Sequence, residues 1–208
     1  MKKFLLLPLA LAFVSNAAMA ANSVDLRVTG TITPPACSIS MPGGGDFDFG
    51  EVSMNAGEEI SLTNPAKKAL DISCSGLTLV GITAADNKPN TESQKHQDLF
   101  GIGVDANGNA VGTYKIAISD LLVNTLSGFV TRSADSGVSW NAPNPSSIKN
   151  NASSVNSWNS SANSAPPEQI TSVSQNISIT TQMRPIDTID TSQAITLDGS
   201  ATIELVYL

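Results

Sequence analysis

The chain has 208 residues, with 18 acidic against 11 basic side chains and a formal net charge of −7. No Lys/Arg cluster interrupts this acidity, which argues against nucleic acid or anionic lipid as a partner. Charge is sparse, while Thr, Ser, Val, Ile, Gly and Asn are plentiful; this suits one all-β domain and is short for two.

Met1-Lys2-Lys3, the apolar run Phe4 to Val14 and Ala18-Met19-Ala20 read as a secretory signal peptide over residues 1–20, cleaved after Ala20. The run is too short to span a membrane, which takes about 20 residues, and no later segment is apolar enough. Export through the inner membrane is therefore expected. Next comes "VDLRVTGTI", in which Val24, Leu26, Val28 and Ile32 alternate with polar residues and Gly30 interrupts the apolar row. The period of two predicts a strand with one buried face. No Asn-Gly turn leads from it into a partner strand, so its partner must lie elsewhere.

Pro34-Pro35 restarts the chain. Beyond the glycines of "MPGGGDFDFGEVS", Phe47, Phe49 and Val52 predict the start of a strand. "EEISL" and "KKALDISCSG" follow, with Leu70, Ile72 and Cys74 on one face, and "LTLVGITA" reads as a mid-sheet strand. Residues 86–97 are a polar loop carrying His96. "DLFGIGVDANGNAVGTYKIAIS" predicts strand, Asn-Gly turn, strand, with Tyr114, Ile116 and Ile118 alternating. Residues 141–167, rich in Ser, Asn and Pro, are expected to form a long surface loop. Patterning returns in "QNISITTQM" and in the closing "ITLDGSATIELVYL". No helical stripe is present, and many short strands between turn signals predict a β-sandwich.

Cys37 and Cys74 are the two cysteines. In an exported protein such a pair reads as a disulfide, which would stabilise the fold by roughly 4 kcal/mol in the chain-entropy model. Catalytic signatures are missing: His96 is the sole histidine, and neither G-x-S-x-G nor H-E-x-x-H occurs. "DANGNAVG" places Asp105, Asn107 and Asn109 like a calcium loop, but Ala110 and Ile116 stand where Gly and Glu are required, so a hairpin turn is expected. Trp140 and Trp158 would either stack on a sugar or pin the Ser/Asn-rich loop to the sandwich, the second being preferred. No enzyme activity, cofactor or metal site is expected.

The order of these features resembles a chaperone–usher fimbrial (pilin-like) subunit: signal peptide, alternating strand with an inset glycine, Cys37, Cys74 some forty residues later, and a terminal alternating strand ending in Tyr207-Leu208. "VTGTITPPACSI" with "GGGDFDFGEVS" is most similar to a fimbria-like enterobacterial group of unknown function. The resemblance implies an incomplete immunoglobulin-like sandwich over residues 34–208, open where a strand is missing. It also implies an N-terminal donor-strand extension over residues 21–33. A periplasmic chaperone fills the opening first, and the extension of a neighbouring subunit replaces it at the outer-membrane usher; such complementation is a known mode of β-strand addition.

By that resemblance Val24, Leu26, Val28 and Ile32 enter a neighbour's groove and Gly30 meets its shallow part. Burying the four would contribute roughly 6–12 kcal/mol, against about 1–2 kcal/mol per ordered residue. Ala201, Ile203, Leu205, Tyr207 and Leu208 correspond to the strand a chaperone recognises. Gly199 lies nearer the C-terminus than the family's usual glycine, and the Ser/Asn-rich loop suggests a minor or specialised subunit. The expected product is a structural fimbrial subunit on the cell surface with a role in cell adhesion. The competing classes are a small carbohydrate-binding adhesin and a free periplasmic binding protein.

Overall fold

The computed structural model describes residues 26–32, 35–64, 66–141, 145–162 and 166–208. The expected signal peptide and Val24 lie outside these. By contact the chain divides into Met1–Thr33 and Pro34–Leu208. In the first unit, residues 26–32 carry no strand, and Leu26, Val28 and Ile32 are 88%, 88% and 95% exposed.

The second unit is the all-β sandwich expected. Its strands are β1 (Cys37–Ser40), β2 (Ile60–Thr63), β3 (Lys68–Thr78), β4 (Val80–Asp86), β5 (Phe100–Gly101) and β6 (Gly112–Val123). They continue with β7 (Leu126–Ser127), β8 (Phe129–Ser133), β9 (Ser147–Ile148), β10 (Val155–Asn159), β11 (Ile170–Met183) and β12 (Ala201–Tyr207). One sheet runs β1-β3-β11-β6-β5, with β2 added to β11 and β7 and β9 added to β6; the other runs β12-β4-β10-β8. All these pairings are antiparallel. The chain passes from one sheet to the other between β3 and β4 through Leu79 alone.

Strand alternation fills the space between the sheets. Leu70 and Ile72 of β3, Tyr114, Ile116 and Ile118 of β6, and Val173, Ile177 and Ile179 of β11 all point into one core with Val80 and Ile82 of β4. Inward residues two apart on each strand meet those of the facing sheet, as sandwich packing requires. Cys37 and Cys74 stand directly opposite each other in the β1–β3 pair and form a disulfide. The "DANGN" stretch is a hairpin turn: the Asp105 carboxylate accepts the backbone N–H groups of Asn107 and Asn109, at 3.0 and 2.8 Å, with Gly108 at positive φ.

Two expectations fail. Residues 141–167 are not a long surface loop, because β9 and β10 lie there, and β10 is a central strand buried at every position. Composition misled because buried β10 side chains are mostly polar yet bonded. The Asn156 side chain accepts from Arg132 Nε at 2.9 Å and donates to the Ser147 carbonyl at 3.1 Å, and Ser157 Oγ donates to the Val80 carbonyl at 2.6 Å. Trp158 is 0% exposed and donates its indole N–H to Gln175 Oε1 at 3.0 Å, so it joins the sheets across the core and offers no face to a sugar. Trp140 bonds its indole N–H to the Gly137 carbonyl at 3.0 Å.

The second failure is the strand expected from Phe47. Residues 46–54 form no ladder, although Phe47, Phe49, Val52 and Met54 turn inward while Asp46, Asp48, Glu51 and Ser53 are exposed. The segment has the periodicity of a strand and pairs with no strand among the described residues.

Candidate functional site: an apolar groove beside an open sheet edge

That unpaired segment is one wall of a groove. Its inward side chains face a second wall formed by Ile195, Leu197, Ala201 and Ile203. The floor comes from the core strands, with Ile102, Tyr114, Ile116, Ile177 and Ile179 at one end and Met183, Ile186 and Ile189 at the other. Two adjacent cavities of about 510 and 710 Å³ share Phe47, Asp48, Phe49 and Leu197 in their linings.

Local contacts hold the first wall in place. Asn64 Nδ2 donates to the Asp48 carbonyl at 2.7 Å, and Asp48 Oδ1 accepts the Gly50 N–H at 2.8 Å. Lys68 Nζ lies 5.3 Å from the centre of the Phe47 ring and donates to the Gly44 carbonyl at 3.2 Å. Bonds at both ends tie the segments that flank the walls. At one, the Gly57 N–H donates to Asp187 Oδ1 at 3.1 Å and the Ile186 N–H to the Asn55 carbonyl at 3.4 Å. At the other, the Cys37 N–H donates to the Tyr207 hydroxyl at 2.9 Å. The disulfide fixes β1, and with it the atom that Tyr207 accepts from.

Strand β12 supplies the second wall and is the edge of its sheet. It pairs with β4 from Ala201↔Asp86 to Tyr207↔Val80, and no strand among the described residues pairs with its other side. Ala201, Ile203 and Leu205 are half-buried toward the core, whereas Tyr207 is 55% exposed and Leu208 is exposed. The residues expected to form a recognition strand thus lie together on one open edge beside the groove. Tyr207 differs from the rest in that its hydroxyl serves its own chain.

Gly199 lies between Leu197 and Ala201 on this wall. A Cβ built there would stand 2.7 Å from the Tyr114 ring, so the glycine allows the ring to form the floor. Tyr114 stacks on Phe100 with centroids 5.1 Å apart. Burial pushes its phenol well above the ordinary range, and the Asp86 charge adds to this, so the ring stays neutral. Sequence reading missed Gly199's role, for which a glycine just before an alternating strand was the available signal.

The remaining candidates are dispersed. His96 is exposed, 3.5 Å from the Asp98 carboxylate, and no cluster of three metal-binding side chains occurs among the described residues. No described helix is long and apolar enough to cross a membrane. The arrangement sets a groove with many apolar side chains in its lining beside a β12 edge whose outer side is unpaired among the described residues.

A family described as "Protein of unknown function (DUF1120)" matches residues 26–113, a span that takes in the exposed apolar row, both cysteines and the Phe47–Met54 wall. Protein GltF of Escherichia coli (strain K12) is 26% identical over 256 aligned positions, covering 96% of this chain and 94% of that protein. No solved structure matches the chain.

Proposed function

We propose that this protein is a structural, non-catalytic subunit of a chaperone–usher fimbria that polymerises by donor-strand exchange. It is exported to the periplasm, held there by a chaperone, passed to an outer-membrane usher and built into a cell-surface fibre that serves adhesion. The observation that supports this reading is one chain carrying both a groove beside a free sheet edge and an exposed apolar row. The groove and free β12 edge form the acceptor, and the exposed row Leu26, Val28 and Ile32 forms the donor. Apolar side chains at 88–95% exposure are expensive to leave in water, and each fully buried would contribute about 1.5–3 kcal/mol.

Gly30 separates folding from assembly. A Cβ at Gly30 meets nothing within 4 Å, so Gly30→Leu should leave the single subunit intact. In the fibre the added side chain would overpack the neighbour's groove, which typically costs 1–3 kcal/mol. With chaperone and usher co-expressed, Gly30→Leu should give the normal amount of chaperone complex and lose surface fibres. Normal fibres carrying the variant would overturn the reading.

A further inference from the structure

We infer that Arg27 is a specificity-determining residue for pairing between copies of this chain, its guanidinium lying between two acidic groove walls of the acceptor. This rests on the proposal that the extension of one copy enters the groove of another. The walls present carboxylates on their outer side: Asp46, Asp48 and Glu51 are exposed on one, and Glu204 on the other. None of these four is in an ion pair among the described residues. The nearby cations are already engaged, Lys68 with the Phe47 ring and the Gly43 and Gly44 carbonyls, and Lys88 with Asp198 at 2.5 Å.

Between residues 4 and 66 the sequence holds one basic side chain, Arg27. It sits between Leu26 and Val28, so a strand that turns those two into the groove must turn Arg27 outward. Cross-strand neighbours on that face come within about 4.5–5.5 Å at Cβ, which brings Arg27 among the wall carboxylates. By sequence alternation Asp25 would share that face of a paired strand, two residues from Arg27.

Exposed ion pairs add little affinity, whereas rim charges govern association rate and partner choice. The signature is therefore kinetic. A fluorescein-labelled peptide of residues 22–33, mixed with the full secreted chain, reports insertion by anisotropy. The Arg27→Glu peptide should associate about tenfold more slowly at low salt. That gap should close near 1 M salt, where the screening length is ~3 Å. An acceptor carrying Asp46→Lys and Glu204→Lys should reverse the preference. Equal rates for both peptides at low salt would overturn the role of Arg27 while leaving strand insertion standing. Failure of every peptide to bind, the natural sequence included, would overturn the functional proposal and this inference with it.

Discussion

Single residues show where the molecule tolerates no change and where it responds to acid. At Gly199, alanine would push its Cβ against the Tyr114 ring and within 3.3 Å of the Gly101 carbonyl. Both neighbours are held, the ring by Phe100 and the backbone by β5, so Gly199→Ala should destabilise the subunit by about 1–3 kcal/mol in urea unfolding. Asp105 responds to protons. The N–H of Asp190 at 2.9 Å, with those of Asn109 and Asn107, lowers its pKa from 3.8 to about 2. Bonds from Asn176 and Lys67 do the same for Asp120, and bonds from Ser133 and Ser139 for Asp135, each to about 2. A carboxyl with a depressed folded pKa stabilises the fold above its unfolded pKa and loses that contribution as pH falls through the folded one. The urea midpoint should thus be flat above about pH 5 and fall between pH 4 and 2. Asp105→Asn should lower the neutral-pH midpoint and flatten that acid limb.

Elements differ in how plainly the sequence announces them, for physical reasons. Strands β3, β6, β11 and β12 face water on one side and core on the other, so their apolar residues alternate and are legible. Strand β10, Val155–Asn159, is buried at every position, and the side chains of Asn156, Ser157 and Trp158 are bonded to neighbours that a linear sequence does not reveal. Its Trp158–Gln175 contact spans the sheets, and Gln175 Nε2 has no hydrogen-bond partner among the described residues. Trp158→Phe would strand the amide oxygen as well and open a void. A loss of about 2–4 kcal/mol is expected in chemical unfolding, with the β12 edge unaltered. At that edge, removing residues 206–208 deletes the pairs Val206↔Gly81 and Tyr207↔Val80 and the Leu208 N–H bond to the Leu79 carbonyl at 3.0 Å. Co-purification with a periplasmic chaperone should be lost. Tyr207→Phe keeps this ladder and forfeits only the Cys37 bond, so it should cost about 1 kcal/mol and retain chaperone capture.

At the scale of the whole molecule the groove is assembled from distant segments, and that is why sequence could not place it. The alternation at Phe47, Phe49 and Val52 promised a strand, and the chain supplies only the wall against which one would lie. The apolar extension was legible, but what receives it depends on walls and floor drawn from residues between Phe47 and Ile203. If extension and groove are complementary, moving one should complete the other within a single chain. Consider a variant lacking residues 21–33, with residues 24–32 joined after Leu208 by a flexible linker. The linker holds the strand near millimolar effective concentration. Four buried aliphatic side chains would contribute roughly 6–12 kcal/mol, which ordering nine residues at about 1–2 kcal/mol each cancels or exceeds. The balance falls to backbone bonds along β12, each worth about 0.5–1.5 kcal/mol. A net gain of a few kcal/mol would raise Tm by about 5–10 °C at this chain length. The grafted protein should be monomeric and melt that much higher than the chain lacking the extension. Gly30→Leu within the graft should abolish the gain, because its side chain meets the groove that the natural glycine avoids. An unchanged Tm in the grafted protein would mean that the groove takes some other occupant.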